Sequence, residues 1–396
     1  MLAVISYYIK IFFNYFLGTF PEQMGTFPKK TYGSDFLFCV TYPKIVEKYK
    51  LMRSSQTTIV DLALQLGISK STVSRALTGH PSVNPATRQQ VLDLAGQLNY
   101  QRNQLAISLL TSRTRTVGIM VPEFISFFFP KVIIGAQPEL TKAGYNVVIC
   151  HANESYDMEV SNTRALLASR VDGLLVSHTK ETRNFDHFRQ FRQQGVPVVF
   201  FNRVCEDMDV SKVLVDDYAG AFAAVSYLIE SGCRRIAHLA GPDTLVGSRN
   251  RLNGYRDALL HRGLVPDPDL IISYDLTIEK VTIYVNHLLN LPQPPDALFA
   301  INDPTAIEAL RVIKGRGLRV PVDISVVGFS DDPIAALIEP GLTTVAQPVE
   351  EIGRQAARLL LNRLSNKEAP AETVILPTRL MIRRSTLPVN GGETLN

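Results

Sequence analysis

From Thr116 onward, short apolar runs alternate with amphipathic stretches, and this rhythm restricts the fold more than any other feature of the chain. The first runs are Val117–Val121, Asn146–Cys150, Gly173–Ser177 and Pro197–Asn202. A second series follows at Val213–Asp216, Ile236–Ala240, Leu270–Ser273, Ala297–Ile301 and Ser325–Phe329. Helical patterns lie between most of them: Lys131–Ala143, Val160–Ala168, Phe185–Gln194, Ala219–Ser231, Arg251–Arg262, Ile278–Leu291 and Thr305–Gly315. Strands that are apolar on both faces must be covered on both faces, which is the arrangement of parallel sheets sandwiched by helices. About 270 residues exceed one comfortable open sheet, so two doubly wound parallel-sheet subdomains with a cleft between them are expected. Pro138 falls inside the first helical stretch and predicts a kink or an early break there.

Charge divides the chain differently. The total of +4 is the sum of +3 in residues 1–51, +5 in residues 52–116 and −4 in residues 117–396. With 46% hydrophobic and 20% charged residues, disordered and fibrous classes are excluded. The +5 segment contains only two acids and one aromatic residue, Tyr100.

That segment reads as three short helices. Thr58 and Asp61 have capping-box spacing, and Ile59, Leu62, Ala63 and Leu66 share a face. Gly67 ends the first helix, Ser69 caps a second over Lys70–Leu77, and Asn84-Pro85 starts a third. Val91, Leu92, Ala95 and Leu98 are expected to form the third helix's apolar stripe. Two helices joined through a glycine and followed by a third follow the helix-turn-helix plan. The second helix would present Lys70, Ser71, Thr72, Ser74 and Arg75, cations and short donors suited to phosphates and base edges. A solvated three-helix bundle is the bland alternative.

Enzymatic chemistry finds no support. Val121-Pro-Glu-Phe follows the first strand where a dinucleotide enzyme needs a glycine-rich turn, and there is no Walker A sequence. The seven histidines are dispersed; His151, His178 and His238 end or follow strands but suggest structural roles. Cys39, Cys150, Cys205 and Cys233 show no CxxC spacing, so no metal site, cofactor or disulfide framework is expected. Free thiols and the lack of an export signal point to the cytoplasm.

The run from Thr58 to Leu77 (TIVDLALQLGISKSTVSRAL) and the segment Leu98–Leu109 (LNYQRNQLAISL) resemble the signature of the lactose-repressor (LacI/GalR) family. The body resembles that family's sensing domain at Val171-Asp-Gly-Leu-Leu, Arg235-Ile-Ala-His-Leu-Ala-Gly, Ile301-Asn-Asp303, Gly328-Phe-Ser-Asp331 and Leu342-Thr-Thr-Val-Ala-Gln-Pro348. The resemblance implies a small all-α helix-turn-helix head plus an α/β periplasmic-binding-protein-like body of two doubly wound parallel-sheet subdomains. It implies a double-stranded operator, a sugar-like effector and a homodimer as partners.

By position, the resemblance places Lys70 and Ser71 at operator bases and Thr72, Ser74 and Arg75 at phosphates and bases; the cap hydroxyls of Thr58 and Ser69 join this set. Asn103–Leu110 matches the hinge helix, with Leu109 as a minor-groove wedge and Ala106 beside it. Ile107 and Gln101-Arg102 depart from the usual pattern there. Effector contacts fall on Arg251, Asn302, Asp303, Ser330 and Asp331, where a guanidinium donates to sugar hydroxyls and a carboxylate accepts from them. Ser330 stands where many members carry Asp. Phe124, with Phe127, Phe128 and Phe129, follows the first strand and could stack on a ring face, and Arg203 is a further rim candidate. The dimer surface is expected to involve Tyr218–Leu228 and the first helix of the body.

The expected organisation is a head at 57–102, a hinge and linker at 103–115, a sensing and dimerising body at 116–386 and a tail at 387–396. Residues 1–51 carry 13 of the 33 Phe and Tyr residues, and residues 21–51 show no useful periodicity. Residues 1–20 are apolar apart from Lys10 and Asn14, which leaves three readings: a membrane anchor, an ordered extension, or a stretch preceding a true start at Met52. The start at Met52 is favoured by what begins at Thr57. Two other function classes stay open: a sugar-binding protein without DNA function, and a membrane-tethered regulator.

Overall fold

Residues 57–101 and 113–389 are described by the structure, a computed structural model, in which the chain separates into two units at Asn103 and Gln104.

In the first unit, α1 (Ile59–Leu66) starts at a complete capping box: Asp61 N–H donates to Thr58 Oγ1, and Thr58 N–H donates to Asp61 Oδ2 at 2.7 Å. Gly67 ends it in the left-handed conformation (φ 65), which a side chain would strain. Ser69 caps α2 (Lys70–Leu77) by accepting from Thr72 N–H at 3.1 Å. Asn84 caps α3 (Pro85–Gln97), with Pro85 at its first turn. Leu62, Ala63, Val73, Ala76 and Val91 form the buried centre. Leu92 is 41% exposed and does not belong to the expected stripe. Leu94 takes its place, because Val91, Leu94, Ala95 and Leu98 follow the 3.6-residue period and Leu92 lies about 100° round from Val91.

The body contains two six-stranded sheets. The first has the order β11-β5-β4-β3-β1-β2, built from β1 (Thr116–Val121), β2 (Asn146–His151), β3 (Gly173–Val176), β4 (Val198–Phe201), β5 (Ser211–Val215) and β11 (Thr373–Leu376). The second has the order β12-β10-β9-β8-β6-β7, from β6 (Ile236–Ala240), β7 (Ile271–Ser273), β8 (Ala297–Ala300), β9 (Ser325–Ser330), β10 (Thr343–Ala346) and β12 (Arg379–Met381). All pairings are parallel except β10 with β12. The first five strands of each sheet repeat one doubly wound order, with a switch point beside β1 and beside β6.

Two helices cover each face. In the first lobe, α4 (Phe128–Lys142) and α11 (Val349–Ser365) pack on one side, and α5 (Tyr156–Ala168) and α6 (Asp186–Gln193) on the other. In the second lobe the pairs are α7 (Asp217–Glu230) with α8 (Val246–His261), and α9 (Ile278–Leu289) with α10 (Asp303–Gly315). The chain therefore passes between lobes three times: after β5, after β10 and after β11. The C-terminal return of α11, β11 and β12 was not expected from the apolar runs, because β11 and β12 are short and half-exposed.

Of the two outcomes expected at Pro138, the early break does not occur: α4 is continuous through it. Pro138 and Ile134, whose carbonyl loses its usual donor, both lie on the exposed face. On the opposite face α4 meets α11 backbone to backbone. A Cβ on Gly135 would lie 2.0 Å from Glu350 O, and one on Gly353 would lie 1.9 Å from Val132 O. At the other end of the body, Ser385 is fully buried, its Oγ donates to Val326 O at 2.6 Å, and Tyr227 Oη donates to Leu387 O at 3.2 Å.

Candidate functional sites: the recognition helix and the cleft

On the head, Lys70, Ser71 and Arg75 are exposed on α2, while Thr72 and Ser74 are half-buried. Lys70 and Arg75 have no ion pair among the described residues, so their charge faces water. Several hydroxyls are already engaged. Thr58 is spent on Asp61, and Ser69 Oγ lies 2.7 Å from Ser71 Oγ and 2.8 Å from Thr72 Oγ1. Thr58 therefore fixes the start of α1 and Ser69 that of α2, and the exposed residues of α2 itself are Lys70, Ser71 and Arg75. Asn103, Ala106 and Leu109 lie outside the described residues.

The body holds a cleft of about 440 Å³ at the carboxyl ends of the strands of both sheets. Asn153 and Glu154 follow β2, Lys180 follows β3, Asn202 and Arg203 follow β4, Leu276 follows β7, Asn302 follows β8 and Gln347 follows β10. Of the expected effector residues, Arg203, Arg251, Asn302, Ser330 and Asp331 line it.

Phe124 and Asp303 do not. The ring of Phe124 lies 5.3 Å from that of His151, and Phe127, Phe128 and Phe129 face the cleft instead. Asp303 is fully buried behind the wall. Its carboxylate accepts from Thr344 Oγ1 at 2.5 Å and from Asp332 N–H at 2.7 Å, so it braces the lip after β9. Burial, reinforced by the nearby Asp332 and Asp331, pushes its pKa up to about 6 against two favourable hydrogen bonds. Gly328 makes room for it: a Cβ there would lie 2.2 Å from Asp303 Oδ1.

Arg251 is 8% exposed. Its Nε donates to Asp217 Oδ1 at 2.8 Å, its Nη1 donates to Ile301 O, and the guanidinium lies 3.6 Å over the centre of the Phe329 ring. Arg203 donates twice to Glu154, at 2.8 and 2.9 Å. Burial alone would raise the Glu154 carboxyl, but the Arg203 charge and hydrogen bonds, with the Lys180 amide, hold it below its usual value. Asn302 spends Oδ1 on capping α10 at Thr305 N–H. Ser330 accepts from Gln347 Nε2 at 3.0 Å, and Gln347 Oε1 is buried without a partner. Ser330 (φ 135) and Asp331 (φ 57) are both held in left-handed backbone, about 1 kcal/mol or more of strain each for such residues. Contacts between the lobes include Lys180 Nζ, which donates to Asp275 O at 2.7 Å beside the cleft, and the exposed pair Arg249 with Glu206.

Sequence reasoning missed Glu154, Lys180, Asp217 and Gln347. The first two and Gln347 follow strand ends, so the rule that ligands bind there could have found them. Asp217 also follows a strand end, that of β5, but its partner Arg251 lies 34 residues away and only the structure brings the two together. None of the three noted histidines lines the cleft. His238 is fully buried between Tyr255 and Phe299, and burial lowers its pKa to about 4.

A helix-turn-helix head and a two-lobed body with a cleft at its strand ends define a regulator with a periplasmic-binding-protein-like sensing fold. Residues 58–103 match the bacterial regulatory proteins of the lacI family, and residues 225–386 match the periplasmic binding protein-like domain. The chain is 33% identical over 334 residues to the HTH-type transcriptional repressor CytR of Escherichia coli strain K12, covering 84% of this chain and 97% of that protein. It is 34% identical to a transcriptional regulator CelR–cellobiose complex, with a TM-score of 0.64, covering 83% and 100% of the two chains. It is 26% identical to a lac repressor dimer bound to operator and the anti-inducer ONPF, with a TM-score of 0.75, covering 84% and 99%. The chain belongs to the LacI family of bacterial transcription regulators. Its close relatives are repressors, not enzymes. Among the described residues, no helix is long and apolar enough to cross a membrane. Residues 1–20, the basis of the anchor reading, lie outside that range.

Proposed function

We propose that this chain is a ligand-responsive repressor that binds a two-fold symmetric operator as a homodimer, with an uncharged or modified sugar in the cleft setting its DNA affinity. The observation that carries the reading is where Gln347 and Val349 lie. They line the cleft and also form the β10–α11 crossing between lobes, so a ligand there touches the segment on which the lobes move. The relative crystallised with cellobiose and the relative bound to operator support the two partner classes. Exposed Lys70 and Arg75 supply the phosphate-facing charge. Of the expected dimer surface, the first helix offers exposed Ile134, and Val148 and Ile149 of edge strand β2 lie exposed as well. In the Tyr218–Leu228 stretch, Tyr218, Ala219 and Ala223 are exposed and Leu228 is fully buried.

The test is a duplex selection from random sequence, followed by salt titration and a thermal-shift screen against sugars, sugar phosphates and purines. The reading requires a symmetric selected site, a steep inverse salt dependence and a ligand that changes operator affinity. Linkage then demands that the operator change ligand affinity by the same factor. Ligand binding without any sequence preference on DNA would make the chain a binding protein alone. A monomer in sedimentation at micromolar concentration would remove the dimer.

A further inference from the structure

A carboxylate stands at the same place in both lobes. In the second lobe, Asp296 precedes β8 and accepts from the two backbone amides just before β6, Arg234 N–H at 2.7 Å and Arg235 N–H at 3.0 Å. In the first lobe, Asp172 precedes β3 and accepts from the two amides just before β1, Thr114 N–H and Arg115 N–H, both at 2.9 Å. Each clamp fills the same structural need, because the residue before a central strand has unpaired amides at the sheet's amino edge.

The surroundings differ. Before β6 the chain arrives from the packed helix α7. Before β1 it arrives from residues 102–112, the segment that joins the helix-turn-helix head to the body. Both clamps carry added restraints: in the second lobe Arg234 Nη1 donates to Ile229 O and Cys233 O, and Arg235 Nη1 pairs with Asp267, whereas in the first lobe they fall on the residues next to the linker. Thr114 Oγ1 donates to Arg170 O at 2.8 Å and lies 3.2 Å from Asp172 Oδ1. Arg115 O accepts from Asn146 N–H at 2.8 Å, and the Arg115 guanidinium lies 5.3 Å over the Tyr145 ring. Arg115 is held in left-handed backbone (φ 53), whereas Arg234 and Arg235 are not. A non-glycine residue stays there only when its surroundings over-determine it.

We infer that Asp172 is a positioning residue for DNA binding: its carboxylate clamps Thr114 and Arg115 so that the linker leaves the body in one fixed direction. This rests on the DNA-binding reading above. A root free to swivel would absorb a movement of the lobes before it reached the linker. It would also leave more chain entropy to be lost when a specific duplex orders the segment. Non-specific binding, which depends on charge, does not need the fixed root.

The second lobe supplies the control. Asp172→Asn and Asp296→Asn remove equivalent acceptors and should lower Tm alike. On a duplex selected by the unmodified protein, Asp172→Asn should lose at least about tenfold in affinity while Asp296→Asn stays within about twofold; on random duplex both should stay within about twofold. Equal losses in the two variants, or none in Asp172→Asn, overturn the assignment. Thr114→Val keeps the β-branched shape and the charge but removes the hydroxyl bonds. It should lose about threefold on the selected duplex alone, and an unchanged affinity counts against the clamp even where Asp172→Asn does not fold. Amide exchange at Thr114 and Arg115, measured without DNA, should quicken in Asp172→Asn and not in Asp296→Asn. Unaltered exchange overturns the clamp, whereas a wild-type chain that selects no duplex overturns the DNA-binding reading.

Discussion

The two lobes repeat one strand order and open one cleft, yet they brace it differently. Behind the first lobe's lip, Glu159 is fully buried and accepts from Thr179 N–H, Thr182 Oγ1 and His187 Nε2 at 2.7, 2.8 and 2.8 Å. Behind the second, Asp303 is equally buried but has two donors, and Asp331 and Asp332 lie close enough to work against its charge. The arginines differ in the opposite sense. The carboxylate facing Arg251 keeps 4% of its side chain exposed, and the one facing Arg203 keeps 20%. A repeated topology supplies positions at strand ends; the partners each position finds determine whether its charge is secured or strained. The second lobe thus has the drier arginine pair and the less satisfied buried carboxylate. The first lobe's pair is wetter and freer to exchange partners.

The largest expected effect breaks that contrast at Arg251. Arg251→Ala leaves Asp217 buried without its cation, and should lower stability by about 3–5 kcal/mol in urea unfolding. A loss near that of Arg203→Ala would mean that the two walls are equally solvated. Next comes Asp303. Its folded pKa of about 6 lies above the ordinary 3.8, so the folded protein holds this proton more tightly than the unfolded chain. The stability it contributes is therefore complete below about pH 4 and declines as pH rises to about 6, by up to about 3 kcal/mol. Asp303→Asn should flatten that part of the pH–stability profile, and an unchanged slope would remove the strain assigned to this wall. Glu159→Gln keeps the volume but turns an amide NH2 toward buried donors, and should cost about 1–3 kcal/mol by the same assay. Smallest is Arg203→Ala, at about 1 kcal/mol once solvent screening is allowed for, with a larger effect on ligand affinity than on unfolding. If unfolding changes and calorimetric ligand affinity does not, Arg203 belongs to the fold and not to the site.

Local chemistry was readable in the sequence. Thr58 with Asp61, Ser69, Gly67 and Asn84-Pro85 act within one helical turn, so their spacing alone placed the three head helices. Among the described residues the apolar runs marked nine of the twelve strands, most of them buried on both faces, although β2 is largely exposed and the buried β10 was not marked. Leu92 leaves the expected stripe for a local reason, the helical period of α3, whereas Phe124 and Asp303 face away from the cleft because of partners elsewhere in the chain: His151 for Phe124, Thr344 and Asp332 for Asp303.

By itself, then, the sequence determined the head's helices, the doubly wound alternation, the family and the strand ends at which a ligand site must lie. Only the tertiary structure decided which polar residues face the cleft and which hold up its walls. A carboxylate's role depends on burial and on its donors, and those come from elsewhere in the chain: Arg251 meets Asp217 across 34 residues, and Asp303 meets Thr344 across 41. No periodicity records such meetings, because they exist only after the sheets have formed and excluded water from the space between them.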